Sequence, residues 1–418
     1  MASENQSKLT SPATRPATSR RGCPVCGGRQ CDVLHPQKFV LPEGHPLADG
    51  YQVVVCGNCG FIYAVTQVSQ HDYDVFYARC SKYESTSTST GGGGSPEDTR
   101  RLKEMAATIA AAIPDRQARL VDVGCANGGL LKELRKLGYS RLCGIDPSPA
   151  CVQAAKALGA AESFVGTLSA LPPAAGEFDG VILSHVLEHV QDLPAAVAGI
   201  RRLTREQGVV YVEVPDATRY AECLLAPFQD FNTEHINHFS GCALTNLFVT
   251  RGWNRIGGGG KTLLAAPGMP YPAVFGFFTK SAATVSGPLK ADTELRVRMA
   301  DYIAASQAMM QAIDLEIQAV LEKNETVIVW GTGQLAMKLL GETCLAQARI
   351  AAFVDGNPIN HGKLLKGVPV LAPARLSGSK SPIIITSMIQ GQAIAQDIKK
   401  LNLPNPVIRL TGKNARFH

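Results

Sequence analysis

At 418 residues the chain is too long for one ordinary domain, and it reads as three units, each able to bury its own core. A hydrophobic fraction of 45%, a charged fraction of 18% and 40 glycines fit an α/β protein with many strand-to-helix turns and exclude a disordered or fibrous chain. The net charge of +6 is mild, no long run of lysines and arginines marks a nucleic-acid stripe, and no apolar run approaches the ~20 residues of a membrane span, so neither partner is expected.

Residues 1–21, rich in Ser, Thr and Arg, read as a disordered tail without an apolar signal core. A cysteine-bearing module follows over 22–84, then a Ser/Thr/Gly linker over 85–98 that cannot pack a core. From residue 99 the rhythm becomes that of a doubly wound sheet. A helix over Thr99–Ile113 precedes strands at Arg119–Gly124, Leu142–Asp146, Gly180–Leu183 and Val209–Glu213, with helices at Ala150–Leu158 and Leu193–Leu203 between them. This unit is expected to end near 255. A connecting segment over 256–323 carries a long helix from 291, and 324–418 restart with a strand at Thr326–Trp330, a glycine turn at Gly331-Thr-Gly333 and a strand at Ile350–Asp355. The expected fold class is therefore α/β, with a small metal-binding module, a Rossmann-like domain and a second, smaller Rossmann-like domain.

Cys23-Pro-Val-Cys26 and Cys56-Gly-Asn-Cys59 are two CxxC hooks, each followed by glycine as a knuckle turn requires. Four soft thiolates suit tetrahedral Zn2+ with no open position, so the metal is expected to be structural. Such use of cysteine points to a reducing, cytoplasmic compartment. Cys31 and His35 of the same segment are available as substitute ligands and are read first as spare residues.

Asp122-Val-Gly124-Cys-Ala126-Asn-Gly128-Gly129 joins a strand to a helix, where glycines let the backbone approach a ligand at the helix N-terminus. Asp146 ends the next strand, at the place where an acid accepts hydrogen bonds from the ribose of a nucleoside. The turn alone also suits a dinucleotide enzyme. The continuation Phe178-Asp-Gly-Val-Ile-Leu-Ser184-His-Val-Leu-Glu188-His189 separates the two, and over 99–255 the chain resembles class I S-adenosylmethionine-dependent methyltransferases. The resemblance implies that Asp122, Gly124, Ala126, Gly128, Asp146, Leu168 and Ser184 form the donor site, with Gly124 and Gly128 near the methionine part, Asp146 on the ribose and Leu168 beside the adenine. Ala126 stands where the family often has glycine.

The three-part layout further resembles the deoxysugar C-methyltransferases that act on nucleotide-linked keto sugars. Three stretches carry it: Phe76-Tyr77 to Tyr83, Phe231-Asn232-Thr-Glu234-His235 to Ser240, and Val329 to Gly333 with Phe353 to Pro358. The resemblance implies that a base takes the proton next to a sugar ketone, and a histidine, with an ordinary pKa near ~6.5, suits that task. His235 is the expected base, Glu234 its orienting partner and His189 a neighbour of the reacting carbon. Tyr77, Tyr83, Asn232 and His238 are expected around the acceptor, Asn232 and His238 standing where the family commonly has tyrosines. Gly257–Gly260 with Lys261-Thr262 reads as a further glycine turn able to meet a phosphate. The C-terminal turn with Asp355 lacks a complete GxGxxG and is expected to serve as a platform for a large acceptor rather than to bind NAD. Two other readings stand beside C-methylation: an O- or N-methyltransferase of another small metabolite, and a non-catalytic scaffold. A monomer or homodimer is expected.

Overall fold

The computed structural model describes residues 17–18, 21–79, 94–160, 162–266, 268–281, 288–376 and 378–413. Most of the expected tail and linker, and Tyr83, lie outside these residues. The chain opens with β1 (Ala17–Thr18), β2 (Gln30–Lys38), β3 (Gly50–Cys56) and β4 (Ile62–Val65), an antiparallel run followed by helix α1 (Gln70–Arg79). Alternation along β3 and β4 explains how a run such as Val53-Val-Val55 is wholly buried. Val54, Phe61 and Tyr63 enter the core of the next sheet, whereas Val53, Val55, Ile62 and Ala64 face a second core shared with the C-terminal half. The first sheet is thus packed on both faces.

The middle of the chain forms α2 (Pro96–Ala112), β5 (Leu120–Val123), α3 (Gly129–Lys136), β6 (Leu142–Asp146), α4 (Pro149–Ala157), β7 (Phe164–Val165), β8 (Phe178–Ser184), α5 (Leu193–Leu203) and β9 (Thr204–Pro215). Then come β10 (Asn237–His238), α6 (Gly241–Val249), β11 (Trp253–Ala266) and β12 (Met269–Lys280). Helices α2, α4 and α5 start where the side chains of Ser95, Ser148 and Asp192 accept from the backbone N–H groups of Asp98, Cys151 and Ala195, each helix with proline in its first turn. The strands order as β11-β12-β9-β8-β5-β6-β7. β9 through β7 are parallel, and β12 runs antiparallel between β9 and β11. β10 leaves this sheet and pairs with β4, tying the segment around Glu234 to the first sheet.

One expected turn is corrected here. Gly257–Gly260 and Lys261-Thr262 lie inside β11, paired residue by residue with Phe277 to Pro272 of β12. The partner strand overrides the local turn preference, and the glycines permit close approach. A Cβ on Gly258 would fall 2.3 Å from the Phe275 carbonyl oxygen.

The C-terminal part begins with α7 (Thr293–Leu321) and continues through β13 (Val327–Trp330), α8 (Gln334–Glu342), β14 (Ile350–Val354), β15 (Leu364–Leu365), β16 (Val368–Leu371), β17 (Ile383–Ile385), α9 (Gly391–Lys400) and β18 (Val407–Arg409). Its sheet orders as β15-β16-β14-β13-β17-β18. The Asp355 carboxylate is engaged by its own turn: Thr332 donates to it from N at 2.9 Å and from Oγ1 at 2.5 Å, and Asn357 N donates at 2.7 Å. Gln334 brackets Thr233, donating from Nε2 to its hydroxyl at 2.8 Å, so the C-terminal glycine turn abuts the Glu234 segment. No described helix is long and apolar enough to cross a membrane.

Candidate active site

In the middle sheet the chain passes from β5 outward to β6 and β7, then returns to β8 on the other side of β5. Such a reversal leaves a crevice beyond the carboxyl ends of the strands. A cavity of about 400 Å³ lies there, lined by the ends of β5, β6 and β8, by α2 and by α1. Its volume falls within the usual range of small-molecule sites.

Asp122, Gly124, Ala126, Asp146, Leu168 and Ser184 all line this cavity. Asp146 accepts from Ala126 N through Oδ2 at 2.9 Å and from Ser148 N through Oδ1 at 2.9 Å, which fixes the glycine turn against the end of β6. Asp122 is 4% exposed, and no described donor reaches its carboxyl group. Burial, then the charge of Asp146, pushes it up to about 8. The charge of Arg101 acts the other way. Arg101 of α2 is the only arginine or lysine among the lining residues, its guanidinium 2.7 Å from Asp98 Oδ1. Ala126 occupies the left-handed region at φ 44°, which explains why glycine is common there in the resembled family. Gly128 does not line the cavity: a Cβ there would lie 2.9 Å from Ala155 Cα, so its lack of a side chain serves the packing of α3 on α4.

The other end of the cavity is built from residues after β8 and from the 230s segment. His189 and His235 meet edge to face with ring centroids 4.9 Å apart, and Tyr77 stands edge-on to His189 at 5.6 Å. His189 Nδ1 lies 3.1 Å from the Glu234 carbonyl oxygen, and Tyr77 donates to Glu234 Oε2 at 3.4 Å. Donor atoms of Glu188, His189 and His235 all fall within 4.8 Å of one another. Asn232 lies outside the cavity lining and shapes the turn instead, its Oδ1 accepting from Glu234 N and His235 N at 2.9 Å each. His238 is also away from it: the residue is wholly buried against Phe231 and Tyr220, and burial pushes its ring down to about 3.

Between the two ends sits a charged network that the sequence did not disclose. His185 Nδ1 is 3.2 Å from Glu188 Oε1, and its Nε2 is 3.3 Å from Glu213 Oε1. Glu213 also pairs with Lys261 and accepts from the Tyr211 hydroxyl. Burial opposes charge on His185, but the two carboxylates outweigh it and push the ring up to about 9. Burial likewise opposes charge on Glu213, yet His185 and Lys261 hold it down at about 2. The segment Ser184-His185-Val-Leu-Glu188-His189 was visible in sequence, but Glu213 and Lys261 arrive from β9 and β11 and carry no local signal.

The network gives a pH dependence with a definite sign. The stability His185 contributes is complete below its ordinary value of 6.5 and is lost as pH rises through about 9. The part due to Glu213 is present above 4.5 and lost as pH falls through about 2. The melting midpoint should therefore fall between pH 6.5 and 9, and less steeply in His185→Asn, chosen because His185 has φ 56° and Asn tolerates that region. Asp122 and Asp230, pushed up to about 8 and 7, titrate in the same span, so the contrast between the two proteins is the readout. Parallel melting profiles would remove His185 from the account.

The two cysteine hooks converge as well. Cys23 and Cys59 Sγ are 3.6 Å apart, Cys26 and Cys56 Sγ are 3.5 Å apart, and all four sulfurs lie within 4.8 Å of one another. A tetrahedral ion with bonds of ~2.3 Å needs sulfurs ~3.8 Å apart. The hooks share one backbone bond, from Gly27 N to Cys23 O and from Gly60 N to Cys56 O, and differ in their N–H contacts to sulfur: Gly28 N approaches Cys26, the second cysteine of its hook, and Asn58 N approaches Cys56, the first of its hook, at 3.4 Å each. The site fits a tetrahedral thiolate-bound ion. Cys31 and His35 lie outside the cluster, His35 stacked on Phe228 at 4.3 Å.

Residues 98–256 match the family model described as a methyltransferase domain. With the strand order above, this segment is a class I S-adenosylmethionine-dependent methyltransferase domain. The chain is 37% identical over 91 residues to a ubiquinone biosynthesis O-methyltransferase of Methylobacterium nodulans, covering 20% of this chain and 36% of that protein. It is 32% identical over 114 residues to the protein of that name from Mesorhizobium japonicum, covering 26% and 45% respectively. The chain thus spans less than half the length of these curated relatives. Among solved structures, a SAM-dependent methyltransferase from Methanosarcina mazei is similar at 18% identity and a TM-score of 0.36, over 42% of this chain and 98% of that one. Magnesium protoporphyrin IX methyltransferase from Synechocystis, with bound SAH, is similar at 16% identity and a TM-score of 0.35, over 44% and 83%.

Proposed function

We propose that the chain is a cytoplasmic S-adenosylmethionine-dependent methyltransferase that C-methylates a keto sugar, or a related carbon acid, carried on a nucleotide. The observation that carries this reading is one cavity with an acid-lined turn at one end and the His189–His235 pair at the other. S-adenosylmethionine supplies the methyl group when bound. Asp146 holds the ribose, Leu168 flanks the adenine, and Asp122 with Arg101 faces the zwitterionic end. His235 removes the proton next to the acceptor carbonyl. Glu234 and His189 position that base, Tyr77 closes the pocket, and the charges on Glu188 and Glu213 face inward around His185. The cysteine cluster holds a structural zinc ion in a module over 22–84, ahead of the methyltransferase domain over 99–255, a connecting segment over 256–323 and a C-terminal domain over 324–418 that supports the acceptor.

A second reading has support of its own. The curated relatives are named as O-methyltransferases, and a base beside the donor cavity serves a hydroxyl as well as a carbon acid. Incubation of the full chain with methyl-labelled S-adenosylmethionine and a panel of nucleotide-linked keto sugars and phenolic metabolites separates the two by the atom that gains the label. Label on carbon supports the first, label only on oxygen replaces it, and tight donor binding without transfer to any compound favours the scaffold.

The donor assignment has an independent check. Asp146→Ala should weaken S-adenosylhomocysteine binding about 100-fold or more in calorimetry, because two hydrogen bonds to a charged acceptor are lost. Asp146→Asn keeps one accepting oxygen, enough for either the Ala126 or the Ser148 N–H group, and is the less disruptive companion variant. Unchanged affinity in both variants would move the ribose elsewhere.

A further inference from the structure

The donor cavity takes one wall from outside the methyltransferase domain. Gln70, Asp74 and Tyr77 of α1 all line it, and their spacing puts them on one helix face. The adjoining face is apolar: Tyr73 and Phe76 are buried in the core that holds Val53, Val55, Ile62 and Ala64 of the first sheet. The helix is therefore anchored by apolar contacts to the cysteine-bearing part and meets the methyltransferase domain through hydrogen bonds. Asp74 Oδ2 accepts from Ser169 Oγ at 2.7 Å and from Thr167 Oγ1 at 3.4 Å, and these two hydroxyls are 2.7 Å apart. Gln70 Nε2 donates to Asp74 Oδ1 at 2.9 Å, while Gln70 Oε1 accepts from Gln191 N at 2.8 Å.

These contacts converge on the loop 166–169, which begins where Gly166 N donates to the Asp146 carbonyl at 3.1 Å and so borders the ribose end of the cavity. Leu168 lies between the two hydroxyl residues that Asp74 holds. From beneath, the loop rests on α5, where a Cβ on Gly199 would come within 2.8 Å of the Leu168 carbonyl oxygen. The loop is thus fixed from below by close packing and from above by one carboxylate.

We propose that Asp74 is a positioning residue of the donor site, acting through Ser169 and Thr167 to hold Leu168 against the nucleoside, so that donor recognition is shared between the methyltransferase domain and the segment before it. This rests on the donor reading above. A carboxylate accepting two hydroxyl protons suits the task, since charge-assisted hydrogen bonds are short and strong. Neither family-matched residues 98–256 nor the glycine turn contains this group.

Calorimetry of the full chain with two probes, S-adenosylhomocysteine and 5′-methylthioadenosine, tests it. Asp74→Ala is expected to weaken both about tenfold, by the same factor, because the contact acts on the nucleoside that both share. Asp74→Asn, which keeps an accepting oxygen, should recover most of the loss. The exposed Ser169→Ala should reproduce part of it, and the double variant Asp74→Ala/Ser169→Ala should be no weaker than Asp74→Ala alone, as expected for one shared contact. Wild-type affinity in both single variants overturns the proposal. So do additive losses, or a loss for S-adenosylhomocysteine without one for 5′-methylthioadenosine. Failure of the wild-type chain to bind either probe overturns the donor reading instead.

Discussion

Replacing His235 with alanine is expected to lower turnover by about 100-fold or more, the scale of lost general-base catalysis, with donor affinity unchanged. The two effects separate because of where the ring sits. His235 lies at the far end of the cavity from Asp146, on a segment shaped by Asn232 and tied to the first sheet through β10. Truncating the ring removes a proton acceptor and leaves the donor's own contacts in place. Single-turnover kinetics with labelled donor is the proper measurement, since it isolates the chemical step from product release. Retained turnover would pass the role of base to His189, its neighbour at 4.9 Å, and the same substitution there would then carry the loss. A parallel fall in S-adenosylhomocysteine affinity would instead mean that the two ends of the cavity are structurally coupled.

The parts of this arrangement legible in the sequence are those written in consecutive residues. β6 over Leu142–Asp146 and α5 over Leu193–Leu203 have the expected bounds, because an apolar run in one case and a capped amphipathic period in the other define them locally. β9 extends over Thr204–Pro215, past the expected Val209–Glu213, because pairing with β8 and β12 carries polar residues into the ladder. The cysteine hooks and the Gly124 turn were visible for the same reason, each being a short motif whose backbone geometry demands its residues. Local reading failed where a partner strand decides the outcome. Four successive glycines spell a turn until β12 is laid beside them. His238 was expected at the acceptor because it stands where the resembled family commonly has a tyrosine, but β10 pairs with β4 and the residue is fully buried. The Glu213–His185–Glu188 network and the Asp74 contact join residues from separate elements, and no window of sequence contains them.

Removal of metal from the cysteine cluster should have the largest effect on stability, lowering the melting midpoint of the whole chain by roughly 10 °C, which corresponds to a few kcal/mol for a domain of this size. The reason lies in what the hooks touch. Cys23, Cys56 and Cys59 belong to the same hydrophobic core as Val121, Leu183 and Trp253 of the middle sheet and Phe248 of α6. Arg251, just after α6, donates to the carbonyl oxygens of Pro24 and Val25 at 3.0 Å each. Asp292, at the start of α7, donates its N–H to the Cys59 carbonyl at 2.9 Å, and its own carbonyl presses on Gly60, where a Cβ would come within 2.1 Å. The hooks are wedged between two later segments of the chain, so stripping the ion should loosen those segments as well as the first sheet and give one broadened transition. Chelation under reducing conditions, followed by scanning calorimetry, measures the shift, and a chromophoric zinc indicator should count one ion released per chain. Cys26→Ser is the matching substitution, because Cys26 is the least buried of the four cysteines and its replacement disturbs packing least. Absence of any released ion, or a midpoint unmoved by its release, would reassign the four cysteines as reduced thiols packed for their size. A midpoint shift accompanied by weakened donor binding would point to α1 as the route by which the first sheet supports the cavity, since that helix follows β4 and carries Asp74.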